Sequence, residues 1–178
     1  MKKLMMAVGA CVCALGMFVG NDASAGLLPP GYTILEYVEA NGTQAINSFY
    51  NATTNTRFDL RFQVGDNIND WQAGFFGTES WGGRWSFDNS YGRLRYWETA
   101  ILAGASRNDY FASIGQGYGS ISNLNTGAFG RIAITTGSDT INLFRSAWGY
   151  GRFRLYDLQI YDGAEKVRDL LPCLTPLG

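Results

Sequence analysis

"TRFDLRFQV", residues 56–64, decides the fold. Phe58, Leu60, Phe62 and Val64 alternate with Arg57, Asp59, Arg61 and Gln63. Successive side chains of a strand point to opposite faces, so a period of two sorts the apolar groups onto one side and the polar groups onto the other. A helix would scatter the same residues around its circumference. This is the pattern of a half-buried β-strand.

The rest of the chain repeats the theme. Glycine supplies 23 of 178 residues, aromatic side chains 15% and charged ones only 16%. Aromatics suit pleated surfaces and glycine permits tight turns, so this balance favours short strands with sharp connections. "WQAGFFGT" (71–78) reads as a buried run. "RWSFD" and "GRLRYW" flank Asn89-Ser90-Tyr91-Gly92, a hairpin turn. "GRIAITTG", "TINLFRSA" and "GRFRLYDLQIYD" follow as further strands. Residues 104–129, rich in Gly, Ser and Asn, fit neither period and read as loop or irregular edge. A single helical turn is expected around Ala164 to Leu170, after Asp162-Gly163. The pattern predicts an all-β chain, an antiparallel two-sheet β-sandwich of jelly-roll type, as one domain over residues 26–178.

The N-terminus has the form of an export signal. Lys2 and Lys3 precede an apolar stretch from Leu4 to Val19, and Ala23-Ser24-Ala25 offers the small residues a signal peptidase reads. Residues 1–25 are therefore expected to be a signal peptide cut after Ala25, with no membrane span left behind; a retained anchor is the alternative. The expected location is periplasmic or extracellular. Cys11 and Cys13 leave with the signal, so Cys173 is expected to stand alone. Loss of Lys2, Lys3 and Asp22 from the 14 basic and 15 acidic residues leaves a slightly acidic domain without a basic block. A nucleic-acid partner lacks its electrostatic footprint.

The chain has no histidine. That excludes Ser-His-Asp and Cys-His nucleophile systems, histidine metal sites and the usual base at neutral pH. Carboxylates are the remaining resource, and Asp157, Asp162, Glu165 and Asp169 crowd near the C-terminus. Asp157 sits on the predicted strand while Asp162 and Glu165 sit in its turn, so the four do not converge. Glu36 and Glu39, three apart, face opposite sides of a strand. Retaining glycoside hydrolysis needs two carboxyls about 5–5.5 Å apart, and no such pair is expected. The chain reads as a non-enzyme.

Two stretches carry a family resemblance. "LLPPGYTILEYVEANGTQAINSFYNATTNTRFDLRFQV" (27–64) resembles the opening of the concanavalin A-like, laminin-G-like domains of many secreted bacterial proteins. "LYDLQIYDGAEKVRDLLPC" (155–173) resembles their closing strand, and "FFGTES" with "RWSFDNSYGRLRYW" matches more loosely. This chain departs from the pattern at Asn47-Ser48, in the weak central hairpin of 104–140, and in stopping at Gly178, where the family continues with one more strand. A missing C-terminal edge strand is therefore expected, exposing backbone donors and acceptors.

The resemblance implies a lectin-like role, and the tryptophans supply candidate residues for it. "ESWGGRW" (79–85) and "SAWGYGR" (146–152) set aromatic rings beside glycine in expected loops. A pyranose face stacks on an exposed aromatic plane while its hydroxyls need polar partners. Trp81, Trp85, Trp148 and Tyr150, with Arg84, Asp88 and Arg152 near them, are the candidate glycan-binding set. Core packing is the competing reading for Trp71, Trp97 and each of these rings. "GDNINDW" (65–71) carries oxygen donors suited to calcium at Asp66, Asn67 and Asp70, although such runs are usually plain turns. No cofactor is expected; the rival to a glycan ligand is a structural or protein-adhesion role.

Overall fold

The computed structural model describes residues 4–5, 10–14, 32–65, 73–78, 85–105, 107–147 and 149–174. Among these residues every regular element is a strand, and all pairings but one are antiparallel. The larger sheet is built on β6 (Thr56–Val64), with β17 (Phe153–Asp162) on one side and β11 (Asp109–Gly115) on the other. Beyond β11 come β12 (Tyr118–Asn123) and β13 (Phe129–Ala133). Beyond β17 lie β4 (Val38–Glu39) and β18 (Glu165–Leu174). The smaller sheet runs β10 (Thr99–Ala103), β9 (Arg93–Tyr96), β8 (Ser86–Ser90), β7 (Ala73–Gly77), β14 (Asp139–Leu143) and β5 (Ile46–Ala52).

The alternation of β6 works as its sequence requires: Phe58, Leu60, Phe62 and Val64 are buried, while Arg57, Asp59, Arg61 and Gln63 are not. Phe62 shows how the sheets meet. Its ring stacks on Tyr110 of the same sheet at 5.4 Å and meets Phe75 and Phe87 of the opposite sheet at 5.1 and 5.6 Å. Each such buried ring contributes about 1.5–3 kcal/mol through the apolar surface it removes from water. Two irregularities thicken this core. Pairing shifts between Gly74 and Phe76 allow both Phe75 and Phe76 to face inward. A shift between Leu155 and Asp157 does the same for Leu155 and Leu158, three positions apart.

Four expectations are corrected. Residues 104–129 are not mainly loop, because β11 and β12 form a regular hairpin across 109–123, turning at Gln116 and Gly117. The helical turn near Ala164 is absent; Gly163 with φ +60 turns the chain directly into β18, which pairs back along β17 from Leu158↔Leu170 to Asp162↔Glu165. The C-terminal edge is not bare. Residues 170–174 of β18 are flanked by β2 (Ala10–Ala14) and, at 173–174, by β3 (Thr33–Ile34). The stretch expected to be a signal thus lies in register on the last strand in the full-length chain, with Cys11 opposite Cys173. A short β1 (Leu4–Met5) runs parallel to β4. Cys173 is disulfide-bonded, and the chain's other cysteines, Cys11 and Cys13, both lie on β2. The expectation of a solitary Cys173 therefore fails for the unprocessed chain. Among the described residues no helix is long and apolar enough to cross a membrane.

Candidate functional site

The outer face of the smaller sheet holds the candidate site, and glycine shapes it. Phe87 faces the core, so its neighbours Ser86 and Asp88 face outward, as does Gly74, which pairs with Asp88. A hairpin of β15 (Arg145–Ser146) and β16 (Gly149–Tyr150) lies on this face. A side chain at Gly74 would strike the Gly149 carbonyl and the Ser146 amide, and one at Gly77 would sit 3.1 Å from Ser146 Cβ. Only bare backbone lets the hairpin seat so closely. Its base is tied by backbone bonds from Phe144 to the Phe75 carbonyl, 2.7 Å, and from Gly151 to the Phe144 carbonyl, 2.9 Å.

Asp88 and Arg95 continue the row across β8 and β9, where register makes them direct partners. Arg95 Nε donates to Asp88 Oδ1 at 2.7 Å, and Ser86 Oγ donates to Oδ2 at 3.4 Å. Asp88 is fully buried. Burial pushes its carboxyl up to about 7, against the pull of Arg95 and Ser86. Arg95 Nη2 is buried without a hydrogen-bond partner. The pair is a buried cross-strand tie between β8 and β9.

The hairpin presents Tyr150, 40% exposed, with the Arg145 guanidinium 5.1 Å from its ring centre. Arg152 follows on the surface; its Nε donates to the Asn41 carbonyl at 2.7 Å and its side chain lies against Gly42. Tyr150 thus stands at the surface and Asp88 is buried in the smaller sheet, while Arg152 reaches Asn41 and Gly42, just past β4 of the larger sheet. Trp85 does not join Tyr150 at the surface. It is fully buried, edge-on to Phe58 at 5.1 Å, and its indole N–H donates to the Gly137 carbonyl at 3.0 Å. No face of that ring is left for a ligand. Trp81, Arg84 and Trp148 lie outside the described residues, as do Trp71 and the calcium candidates Asp66, Asn67 and Asp70. Among the described residues no cluster of three or more Cys, Asp or Glu side chains is arranged to hold a metal ion.

Compared with known families, curated proteins and solved structures, the chain matches none. Its function has to be argued from its own surfaces.

Two open clefts add to the inventory, each of about 480 Å³. One lies among three turns, where Gln116 Nε2 donates to the Asn55 carbonyl at 2.9 Å and to the Gly163 carbonyl at 2.5 Å. Those bonds give that cleft a structural purpose. The other lies between the β9–β10 turn, with Trp97, and the segment 132–135, the end of β13 and the two residues beyond it. Sequence reasoning missed Gly74, Ser146 and Arg95. The signal for Arg95 was available, because a two-residue turn at Tyr91-Gly92 places Asp88 directly opposite it.

Proposed function

We propose that the chain is an exported, non-catalytic binding module whose ligand is a glycan. The supporting observation is the hairpin 145–150, seated on glycines of β7 and tied at its base, which holds the Tyr150 ring beside the Arg145 guanidinium at the outer face of the smaller sheet. An aromatic plane with charged hydrogen-bond donors beside it suits a sugar, whose C–H face stacks while its hydroxyls are paired. The family resemblance of residues 27–64 and 155–173 points the same way, although a fold hosts many functions and the site must carry the argument. The absence of histidine from the sequence supports a binding role over a catalytic one.

A glycan array probed with the exported protein tests the proposal. Binding that Tyr150→Ala weakens by about tenfold or more, with the melting temperature unchanged, is the expected result. Reducing ends released from a polysaccharide by the purified protein, and abolished by one carboxylate substitution, would overturn the non-catalytic part. The adhesion reading has its own support in Phe49, 87% exposed on the edge strand β5. Its signature is capture of a protein ligand that Phe49→Ala abolishes, with an empty glycan array.

A further inference from the structure

The chain crosses from β9 to β10 in a two-residue turn, Trp97 and Glu98, closed by the Tyr96–Thr99 pair. Trp97 has φ +58. The first central residue of such a turn is where glycine normally supplies the positive φ, and a bulky aromatic side chain there is strained. Strain of this kind survives only where the surroundings enforce it, and it marks positions worth a functional question. Trp97 is half-buried against the core, and its backbone amide donates to the Ser86 carbonyl at 2.8 Å. It forms one wall of the cleft of about 480 Å³ described above, a volume within the usual range of small-molecule sites, about 300–1,000 Å³.

Chemistry narrows the occupant. Ile132 and Ile134, both packed on the core, give the opposite wall an apolar surface. Thr99 and Thr135 are exposed and add hydroxyls at the rim. Among the described residues, none that lines the cleft carries an ionised side chain. An aromatic plane, an apolar wall and neutral hydroxyls match an uncharged sugar ring and leave a carboxylate or sulfate without a partner.

We propose that this cleft is a subsite for a neutral sugar, with the Trp97 indole as the stacking plane and Thr99 and Thr135 as hydrogen-bond partners. The proposal rests on the glycan-binding reading above and adds to it both a place and a charge class.

Calorimetric titration with neutral pentasaccharides of glucose, xylose, mannose and N-acetylglucosamine tests it, with sulfated and uronic acid oligomers alongside. The wild-type chain should bind at least one neutral probe. Trp97→Leu, which keeps apolar cover over the core but removes the flat ring, should weaken that binding by about tenfold or more, and Trp97→Phe should restore most of it. Thr135→Val, close in shape and exposed, should weaken binding by about threefold to tenfold with an unchanged melting temperature, which keeps the test valid even if Trp97→Leu does not fold. Neutral-sugar binding that survives Trp97→Leu and Thr135→Val but is lost in Tyr150→Ala overturns the subsite and leaves the glycan reading standing. Binding confined to the charged oligomers overturns the subsite as well. No binding to any oligosaccharide overturns both.

Discussion

Replacing Asp88 with asparagine separates two opposing forces at one buried position. Desolvation favours the neutral carboxyl; the Arg95 guanidinium at 2.7 Å favours the charged one. The native carboxyl keeps its proton up to about 7, whereas an ordinary aspartate releases it near 3.8, so desolvation prevails. Between those two values the native state binds more protons than the unfolded chain, and stability falls as pH rises. At about 1.36 kcal/mol per pH unit, the fall attributable to Asp88 is about 4 kcal/mol across that interval. Asparagine mimics the protonated acid and cannot ionise. Asp88→Asn should therefore match the wild type near pH 4 and exceed it by up to about 4 kcal/mol above pH 7, every other titrating group being common to both proteins. Urea unfolding of both chains at half-unit steps from pH 4 to 8 measures the difference directly. Parallel curves, or a variant less stable than wild type at pH 8, would refute the reasoning. That outcome would mean the ion pair outweighs its desolvation, since stripping a partner from a buried charge typically costs about 3–5 kcal/mol.

Trp85→Ala should cost about 3–5 kcal/mol in denaturant unfolding, as expected of a ring fully enclosed by Phe58 and Tyr96, whereas Tyr150→Ala should leave stability nearly unchanged. Gly74→Ala drives a methyl group into the Gly149 carbonyl and should cost about 1–3 kcal/mol, while loosening the hairpin and lowering glycan affinity; wild-type affinity in this variant would show that the hairpin does not form the site. Phe49, at φ +53 and 87% exposed, is strained yet makes little packing contact, so Phe49→Asn should raise stability by about 0.5–1 kcal/mol; a loss would assign the ring a structural partner. Cleavage after Ala25 removes both other cysteines, so exported protein beginning at Gly26 should titrate with one thiol per chain; intact mass and thiol titration check the two statements together.

Much of the architecture was legible because a few segments obey one rule without exception. In β6 every second residue is large and apolar, and the turn at Tyr91-Gly92 uses residues with φ +50 and +72, the left-handed geometry a tight hairpin demands. The β11–β12 hairpin was harder to see. Tyr110, Ala112 and Ile114 do alternate inward, but Phe111 faces outward at 40% exposure and the inward alanine is small, so apolarity hardly oscillates along the stretch. β18 was hidden for another reason: apart from Val167, Glu165 to Asp169 have no strong strand preference, and their extended form comes from pairing with β17. At the candidate site, sequence reasoning weighted the aromatic letters. Trp85 and Tyr150 both stand near glycine, yet one is fixed in the core by pairing at the start of β8 and the other rides on a hairpin. Neighbours in sequence do not reveal which face a ring takes. Register does, and register was available only where a turn could be located.

In β6, at the heart of the larger sheet, Asp59 stands opposite Gln159, a full hundred positions along the chain. Ala52 of the other sheet waits similarly for Asp139. Neither sheet can close until most of the chain is available, and the loop-closure entropy must be met before those contacts return anything. Topologies dominated by such distant pairings fold on a scale of about milliseconds to seconds, far slower than local hairpins such as β8–β9. A nascent chain lacking β17 leaves one edge of β6 unpaired and the core without Phe153, Leu155, Leu158 and Ile160, an arrangement prone to sticking to its neighbours. Acquisition of the native state is therefore expected to follow synthesis rather than accompany it, and truncation before residue 153 should yield aggregate instead of a smaller domain.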